Sequence, residues 1–404
     1  MENREYIKTG SQVYWRTLFI IFLGSMAAFG AEYCVQPIIP VIASSFGLNA
    51  VQGSLAVSLG LVGMSAAMLL IAGLAPRFDR KLATAVGLIG AAILTIMIGF
   101  SGSFEAILGM RLIQGLLLAA FPSLIIAYIN EEFEPFNVGT VIGIYISGTT
   151  VGGLFGRLVV SAITDFVSWR MGLIVIGILY LAVGIAFFML LPKPKYQRQR
   201  QSGGLQLIKT FHTALANKKL LWIYLVAFLI MGSFVAVFNF ISYVLLAPPY
   251  SLSQTVVGLL FVVYLFGTFS STYMGRLSDQ HGNNGRVLIL GLLIMLTGGL
   301  LTLLQPLVFK FIGLAIFTFG MLGSHSVACG WVGKLNQGDK AQSSSMYMFF
   351  YYAGASSLGT LGGVFLESYG WSGVIGMVAA AVIICLLVVV RLELAVSQHL
   401  LWHH

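Results

Sequence analysis

Apolar runs of roughly 18 to 25 residues, parted by short polar breaks, recur along the chain from Thr17 onward. At a helical rise of about 1.5 Å per residue, each run is long enough to cross about 30 Å of hydrocarbon. The pattern predicts twelve spans, at roughly 17–40, 51–74, 82–101, 105–128, 138–162, 171–191, 218–245, 255–274, 287–305, 310–333, 343–366 and 372–391. Most breaks are short, so successive helices are expected to be antiparallel neighbours. One break is longer. "PKPKYQRQRQSGG" (192–204) opens a polar, basic stretch reaching about Asn217, with two prolines and a Gly pair. It reads as a cytoplasmic linker (192–217) with a short surface helix near 205–216, joining a six-span bundle at 1–191 to another at 218–404. The expected fold class is an all-α membrane protein with twelve transmembrane helices in two pseudo-symmetric six-helix bundles.

Composition agrees with that pattern. The chain is 58% hydrophobic and 9% charged, where a soluble domain carries about 25% charge, and its mean hydropathy is +0.94. The net charge of +9 raises the question of nucleic acid, but the placement of the charge answers it. With the N-terminus cytoplasmic, all the lysines and arginines fall on the cytoplasmic side except Arg170 and Lys310, facing out, and Arg111 and Arg157, inside spans. That bias is an insertion signal and puts both termini in the cytoplasm; no nucleic-acid partner is expected. The polar opening "MENREYIKTGSQVYW" and the absence of a small-residue cleavage site favour an uncleaved first helix. Cys34, Cys329 and Cys385 lie inside separate spans with no CxxC, so neither a disulfide framework nor a zinc site is indicated. His399, His403 and His404 have no evident partner ligands, and neither a metal nor a cofactor is expected.

The candidate chemistry begins with one acid. Glu32 lies in "AFGAEYCVQPIIP" (28–40), within a span and roughly 22 Å from its cytoplasmic boundary. Arg111, in "RLIQGLLLAAFPS" (111–123), sits at a matching depth of about 21 Å in the fourth span. A charged carboxyl at such depth costs about 2.5–3.5 kcal/mol on insertion scales, so it persists protonated, paired or facing water. Three readings stay open: a proton or cation-substrate site, a structural Glu32–Arg111 ion pair, or a position near outer water. In the tenth span, His325 in "GMLGSHSVACGW" (320–331) is either a proton relay or substrate contact, or a lone histidine bonded to a neighbouring helix. Gln36, Gln114, Asn239, Tyr243, Tyr347, Tyr351 and Tyr352 are candidates for a cavity wall, against the plainer reading of packing or lipid-facing side chains. Gly148, Gly152, Gly153 and Gly156, in "YISGTTVGGLFGRL" (145–158), form a small-residue face for close helix packing. Arg157 next to them is expected to pair with Asp165 or to snorkel.

Internal repetition then joins the pieces. "SSFGLNAVQGSL" (44–55) after the first span parallels "PPYSLSQTVVGLL" (248–260) after the seventh, and 148–170 parallels "SSLGTLGGVFLESYGWSG" (356–373). The loop "GRLSDQHGNNGR" (275–286) resembles the signature loop of the major facilitator superfamily, G-x-L-[SA]-D-x-x-G-R-[RK], with extra residues before its last arginine. The resemblance implies a gating role for Asp279 and Arg286, with 137–139 as a partner for Asp279. In the first copy, "AGLAPRFDRKLA" (72–83), Pro76 takes the usual Asp position. Either Asp79, beside Arg80, substitutes for it, or the lock leans on the second copy. "RLIQG" resembles the R-x-x-Q-G motif of proton-coupled members, while the fifth span resembles the antiporter motif G-x-x-x-G-P-x-x-G-G without its Gly-Pro pair.

Over nearly its whole length the chain resembles the acriflavine-sensitivity (YnfM-type) branch of that superfamily, drug:proton antiporters of bacterial inner membranes. Parallel six-helix repeats with a midplane site are the architecture this implies. The function implied is proton-coupled export of small amphiphilic or cationic compounds by a monomer working through alternating access. The alternatives are a proton-coupled transporter of a polar metabolite, such as a sugar or amino-acid derivative, and a non-transporting membrane sensor. An enzyme is not indicated, since no clustered nucleophile or paired carboxylates occur, and no P-loop is present for ATP-driven transport.

Overall fold

The computed structural model describes residues 6–74, 79–195, 217–335 and 340–401; Pro76, most of the linker with its expected surface helix, and His403 and His404 lie outside them. Eleven helices among the described residues are long and apolar enough to cross a membrane. The last of these, Ser343–Leu394, is two crossings in one. Gly370 breaks it with φ 63° and ψ −156°, a left-handed backbone that only glycine adopts without strain. Counted this way, the described residues form twelve spans.

The chain divides into two compact units, Met1–Ile42 with Leu59–Leu207, and Ala43–Ser58 with Ile208–His404. In the first, α1 (Gln12–Tyr33), α2 (Ile39–Ser45), α3 (Ala50–Leu74), α4 (Arg80–Phe100), α5 (Phe104–Leu118), α6 (Ala120–Glu132), α7 (Val138–Phe166) and α8 (Trp169–Leu190) follow in order. The start of α3 belongs to the second unit. That unit adds α9 (Lys218–Leu246), α10 (Gln254–Leu259), α11 (Tyr264–His281), α12 (Asn284–Leu301), α13 (Leu307–Leu335) and α14 (Lys340–Leu401).

Local chemistry sets these boundaries. Ser11, Asp79, Ser103, Ser168, Asn217 and Ser253 each cap a helix start with a side-chain oxygen, satisfying donors that have no partner inside the helix. Asn49 and Gln52 form a reciprocal capping box at the start of α3 (2.8 and 3.1 Å). Prolines set the most consequential boundary. Pro37 lacks an N–H and its ring clashes with the carbonyl four residues back, and α1 ends at that residue, Tyr33. A 3₁₀ turn, Gln36–Ile38, bridges to α2.

Helices in each unit meet along glycine seams. A Cβ at Gly148 would lie 2.6 Å from the Phe22 carbonyl oxygen, at Gly152 2.2 Å from that of Met26, and at Gly156 2.8 Å from that of Gly30. Every fourth residue of α7 thus brings its backbone against α1. The second unit repeats the device between α9 and α14, where a Cβ at Gly354 would lie 1.9 Å from the Phe228 oxygen. Both units also anchor the start of their last span. Arg170 donates to the Ser101 carbonyl (3.0 Å) in the first, and Trp371 Nε1 donates to Thr302 (3.0 and 3.2 Å) in the second.

Candidate functional site

Glu32 is 1% exposed and Arg111 is fully buried. Their charged ends approach to 3.5 Å, Arg111 Nη2 to Glu32 Oε1. The hydrogen bonds tell a more specific story than the ion pair. Arg111 Nη1 donates to the Ala31 carbonyl (3.2 Å) and Nη2 to the Glu32 carbonyl (2.6 Å), while Gln114 Oε1 accepts from Nη1. These carbonyls belong to the last turn of α1, where helical acceptors run out of N–H partners and the helix dipole is negative. The Pro37 break therefore creates the acceptors that hold the guanidinium. Neither carboxylate oxygen of Glu32 accepts a hydrogen bond from the protein.

A second guanidinium grips the same broken segment. Arg157, 2% exposed, donates from Nε and Nη2 to Gln36 Oε1 (3.1 and 2.6 Å) and from Nη1 to the Gly153 carbonyl (2.8 Å). Its guanidinium carbon lies 4.7 Å from the centre of the Tyr33 ring, a cation–π contact. Arg157 does not snorkel, contrary to one sequence expectation, because the α1 break supplies Gln36 as a polar partner at its own depth. Gln114 is likewise engaged: Nε2 donates to Thr95 Oγ1 (2.6 Å) and the Ala91 carbonyl (3.0 Å). Gln36 and Gln114, expected on a cavity wall, are spent on orienting arginines.

The second unit gathers His325, Tyr347 and Tyr351. His325 Nδ1 is 2.9 Å from Tyr347 Oη, and its ring lies 4.4 Å from that of Tyr351 at 33°. Tyr352 sets its ring edge-on to Tyr351, with centroids 5.3 Å apart. Asn239 is buried and donates to the Gly359 carbonyl (3.3 Å). Tyr243 buries its hydroxyl without a hydrogen bond. Gly153 stands apart from its three glycine neighbours: its contribution is the carbonyl that receives Arg157.

The loop residues take separate posts. Asp279 pairs with Lys334 of α13 at 3.1 Å, both exposed, a geometry worth about 0–1 kcal/mol. Asn137, at the position expected to meet Asp279, donates to Tyr14 Oη (2.6 Å) and Thr9 Oγ1 (3.3 Å). Asp79 caps α4 through Leu82 N–H (2.9 Å), and Arg80 pairs with Glu131. Arg286 Nε faces Asn283, whose amide bridges to Glu393 once its oxygen and nitrogen are oriented by those neighbours. Gly282 closes α11 with φ 63°, a left-handed cap suited to glycine.

Sequence reasoning overlooked the run "EEFE" (131–134). Glu131 binds Arg80, Glu132 Oε1 accepts from Lys195 N–H (2.8 Å), and Glu134 Oε2 accepts from Thr9 N–H and Oγ1 (3.1 and 2.6 Å). Its signal was available: three acids in a chain this poor in charge need partners. Thr9 holds the Glu134 carboxyl below the usual glutamate range, chiefly through its hydroxyl and then its N–H.

Two like units of membrane-crossing helices, the first burying two acids and three guanidiniums, have the build of a multi-pass membrane transporter. The chain belongs to the Major Facilitator Superfamily, whose family model matches residues 21–251 and 237–399. It is 37% identical over 383 residues to the uncharacterized MFS-type transporter YybF of Bacillus subtilis (strain 168), covering 94% of each chain. It is also 37% identical over 392 residues to the inner membrane transport protein YnfM of Escherichia coli (strain K12), covering 97% of this chain and 94% of that one. Among solved structures, a mutant of the nucleoside transporter NupG superposes with a TM-score of 0.78 at 17% identity, over 94% of this chain and 100% of that one, a likeness of fold alone.

Proposed function

We propose that this protein is a proton-coupled secondary transporter of a bacterial inner membrane, exporting small amphiphilic or cationic compounds by alternating access, with Glu32 as its proton-loading carboxyl. The observation that carries this reading is a carboxyl 1% exposed with neither oxygen hydrogen-bonded, 3.5 Å from a guanidinium. Burying a charged pair so incompletely is expensive, and stability alone gives no reason to keep it. A group that trades its proton does give one.

Arg111 is held by main-chain carbonyls, so proton loading neutralises Glu32 without releasing the arginine. In this reading the acid moves and the arginine stays. The halves 1–191 and 218–404, joined by 192–217, exchange the exposure of the site, and both termini are cytoplasmic by the distribution of lysine and arginine. A proton or substrate biases that exchange only by its differential affinity for the two states. His325, Tyr347 and Tyr351 offer the stacked, amphipathic surface that planar or cationic ligands prefer, while Asp279, Arg286, Asp79 and Arg80 serve the gating loops. A polar metabolite is the second reading, kept open by the Gly-Pro pair that the antiporter motif has and this span lacks.

Everted membrane vesicles energised by respiration test the proposal with ethidium as the probe. Wild-type vesicles should show ethidium-dependent proton release and Glu32→Gln vesicles none, with equal protein in the membrane. Unchanged proton release in Glu32→Gln would overturn the role of Glu32.

A further inference from the structure

We propose that Gly60 is a positioning residue that sets the room available to the Glu32 carboxyl, an inference that rests on the proton-loading role given to Glu32. Three helices wall the acid: its own α1, α5 through Arg111, and α3, which passes over the pair at Gly60. A Cβ at Gly60 would stand 2.6 Å from Glu32 Oε1 and 2.8 Å from Arg111 Nη2. Those are the two atoms that make the 3.5 Å ion pair, so any side chain at position 60 enters between or against them.

The neighbouring glycines on the same seam do different work. A Cβ at Gly63 would lie 2.3 Å from the Leu112 carbonyl oxygen, and one at Gly115 would lie 1.9 Å from the Gly60 carbonyl oxygen. Both obstructions are backbone, which cannot step aside, so those glycines serve helix packing. At Gly60 the nearest atoms are the tips of two side chains. The tip of Glu32 has no hydrogen bond to lose, whereas that of Arg111 is fastened to two carbonyls and a glutamine. A methyl group at position 60 therefore displaces the carboxyl and spares the helix contact. Glycine here preserves the reach of an acid rather than the approach of two backbones.

Infrared titration of the purified, detergent-solubilised protein reads the carboxyl directly, through the stretch of its protonated form. Wild type, Gly60→Ala, Glu32→Gln and the double variant would be compared, with Gly63→Ala as the packing control and thermal melts to establish folding. Glu32→Gln should remove one titrating band. Gly60→Ala should keep that band, displace its midpoint by about half a pH unit or more, and melt well above Gly63→Ala; the double variant should match Glu32→Gln. A Gly60→Ala band identical to wild type, with the band absent in Glu32→Gln, would overturn the role of Gly60 and leave that of Glu32 standing. A band that survives Glu32→Gln would overturn the role of Glu32 and this inference with it. Should Gly60→Ala fail to accumulate, Glu32→Asp withdraws the carboxyl from the same wall by one methylene; an unmoved midpoint there would equally overturn the inference.

Discussion

The two units share a scaffold and differ in what they bury. Each has a glycine seam between its first and fifth spans and a polar tie at the start of its sixth. Within that common frame the first unit buries Glu32, Arg80, Arg111, Glu132 and Arg157. Among the described residues of the second, Lys310 is the sole buried charge, bonded to the Thr302 carbonyl at 2.5 Å. In place of ions it packs rings: the contacting pairs among Phe234, Phe238, Phe261 and Tyr264 have centroids 4.8–5.7 Å apart, tilted or edge-on. Aromatic packing stabilises such a core directly, whereas buried ions cost desolvation that hydrogen bonds only partly offset. A repeat that keeps its architecture while gathering all but one of its described buried charges in one copy shows that the scaffold does not depend on where the ions lie.

That contrast can be broken most severely at Arg111. Arg111→Ala strands the Ala31 and Glu32 carbonyls and an unpaired acid, so a loss of about 3–5 kcal/mol is expected, seen as poor accumulation or a much lower melting temperature in detergent. No single ring in the second unit should cost as much for its polar bond. The seams should instead behave alike: Gly152→Ala and Gly354→Ala each press a methyl into a carbonyl oxygen and should each lose about 1–3 kcal/mol by thermal melting. Strongly unequal losses would show that the shared scaffold is not energetically shared. Tyr347→Phe deletes the hydroxyl bonded to His325 and should cost about 0.5–1.5 kcal/mol, read in the same melts. The smallest effect concerns pH. Because the folded-state pKa of Glu134 is depressed, its tie to Thr9 is fully present above the ordinary glutamate range and fades as pH falls through the lower folded value. The protection factor of the Thr9 amide, its exchange measured against the intrinsic rate at the same pH, should fall on acidification in wild type, and Thr9→Ala, which removes the hydroxyl bond and keeps the N–H bond, should shift that fall to higher pH.

Much of this is legible in the sequence. Apolar runs of membrane-crossing length locate the spans, and counting depth along two helices places Glu32 level with Arg111. The glycines of the fifth span announced a seam through their spacing of four. What the sequence did not disclose was how polar groups are shared out. Gln36 and Gln114 read as cavity residues because an amide inside a membrane suggests a ligand, yet each is consumed by an arginine. The clue lay in Pro37, whose missing N–H and ring bulk end α1 and leave carbonyls to be claimed. Which helix claims them depends on rotation about the helix axis, and a linear pattern does not encode that. Gly60 was silent for the same reason: "SLGLVGMS" gives no sign that one of its glycines faces backbone and the other a carboxyl.

The segment Ala43–Ser58 precedes the linker in the chain but folds with the unit that follows it, held by Ser58 Oγ to Thr360 Oγ1 (2.6 Å) and by Val51 N–H to Glu367 (3.2 Å). A gene split at the linker would thus encode no self-sufficient product. The upstream fragment would carry a stretch whose neighbours were translated separately, and the downstream fragment would be missing a piece of its own interior. Only co-expression of the two could restore the whole.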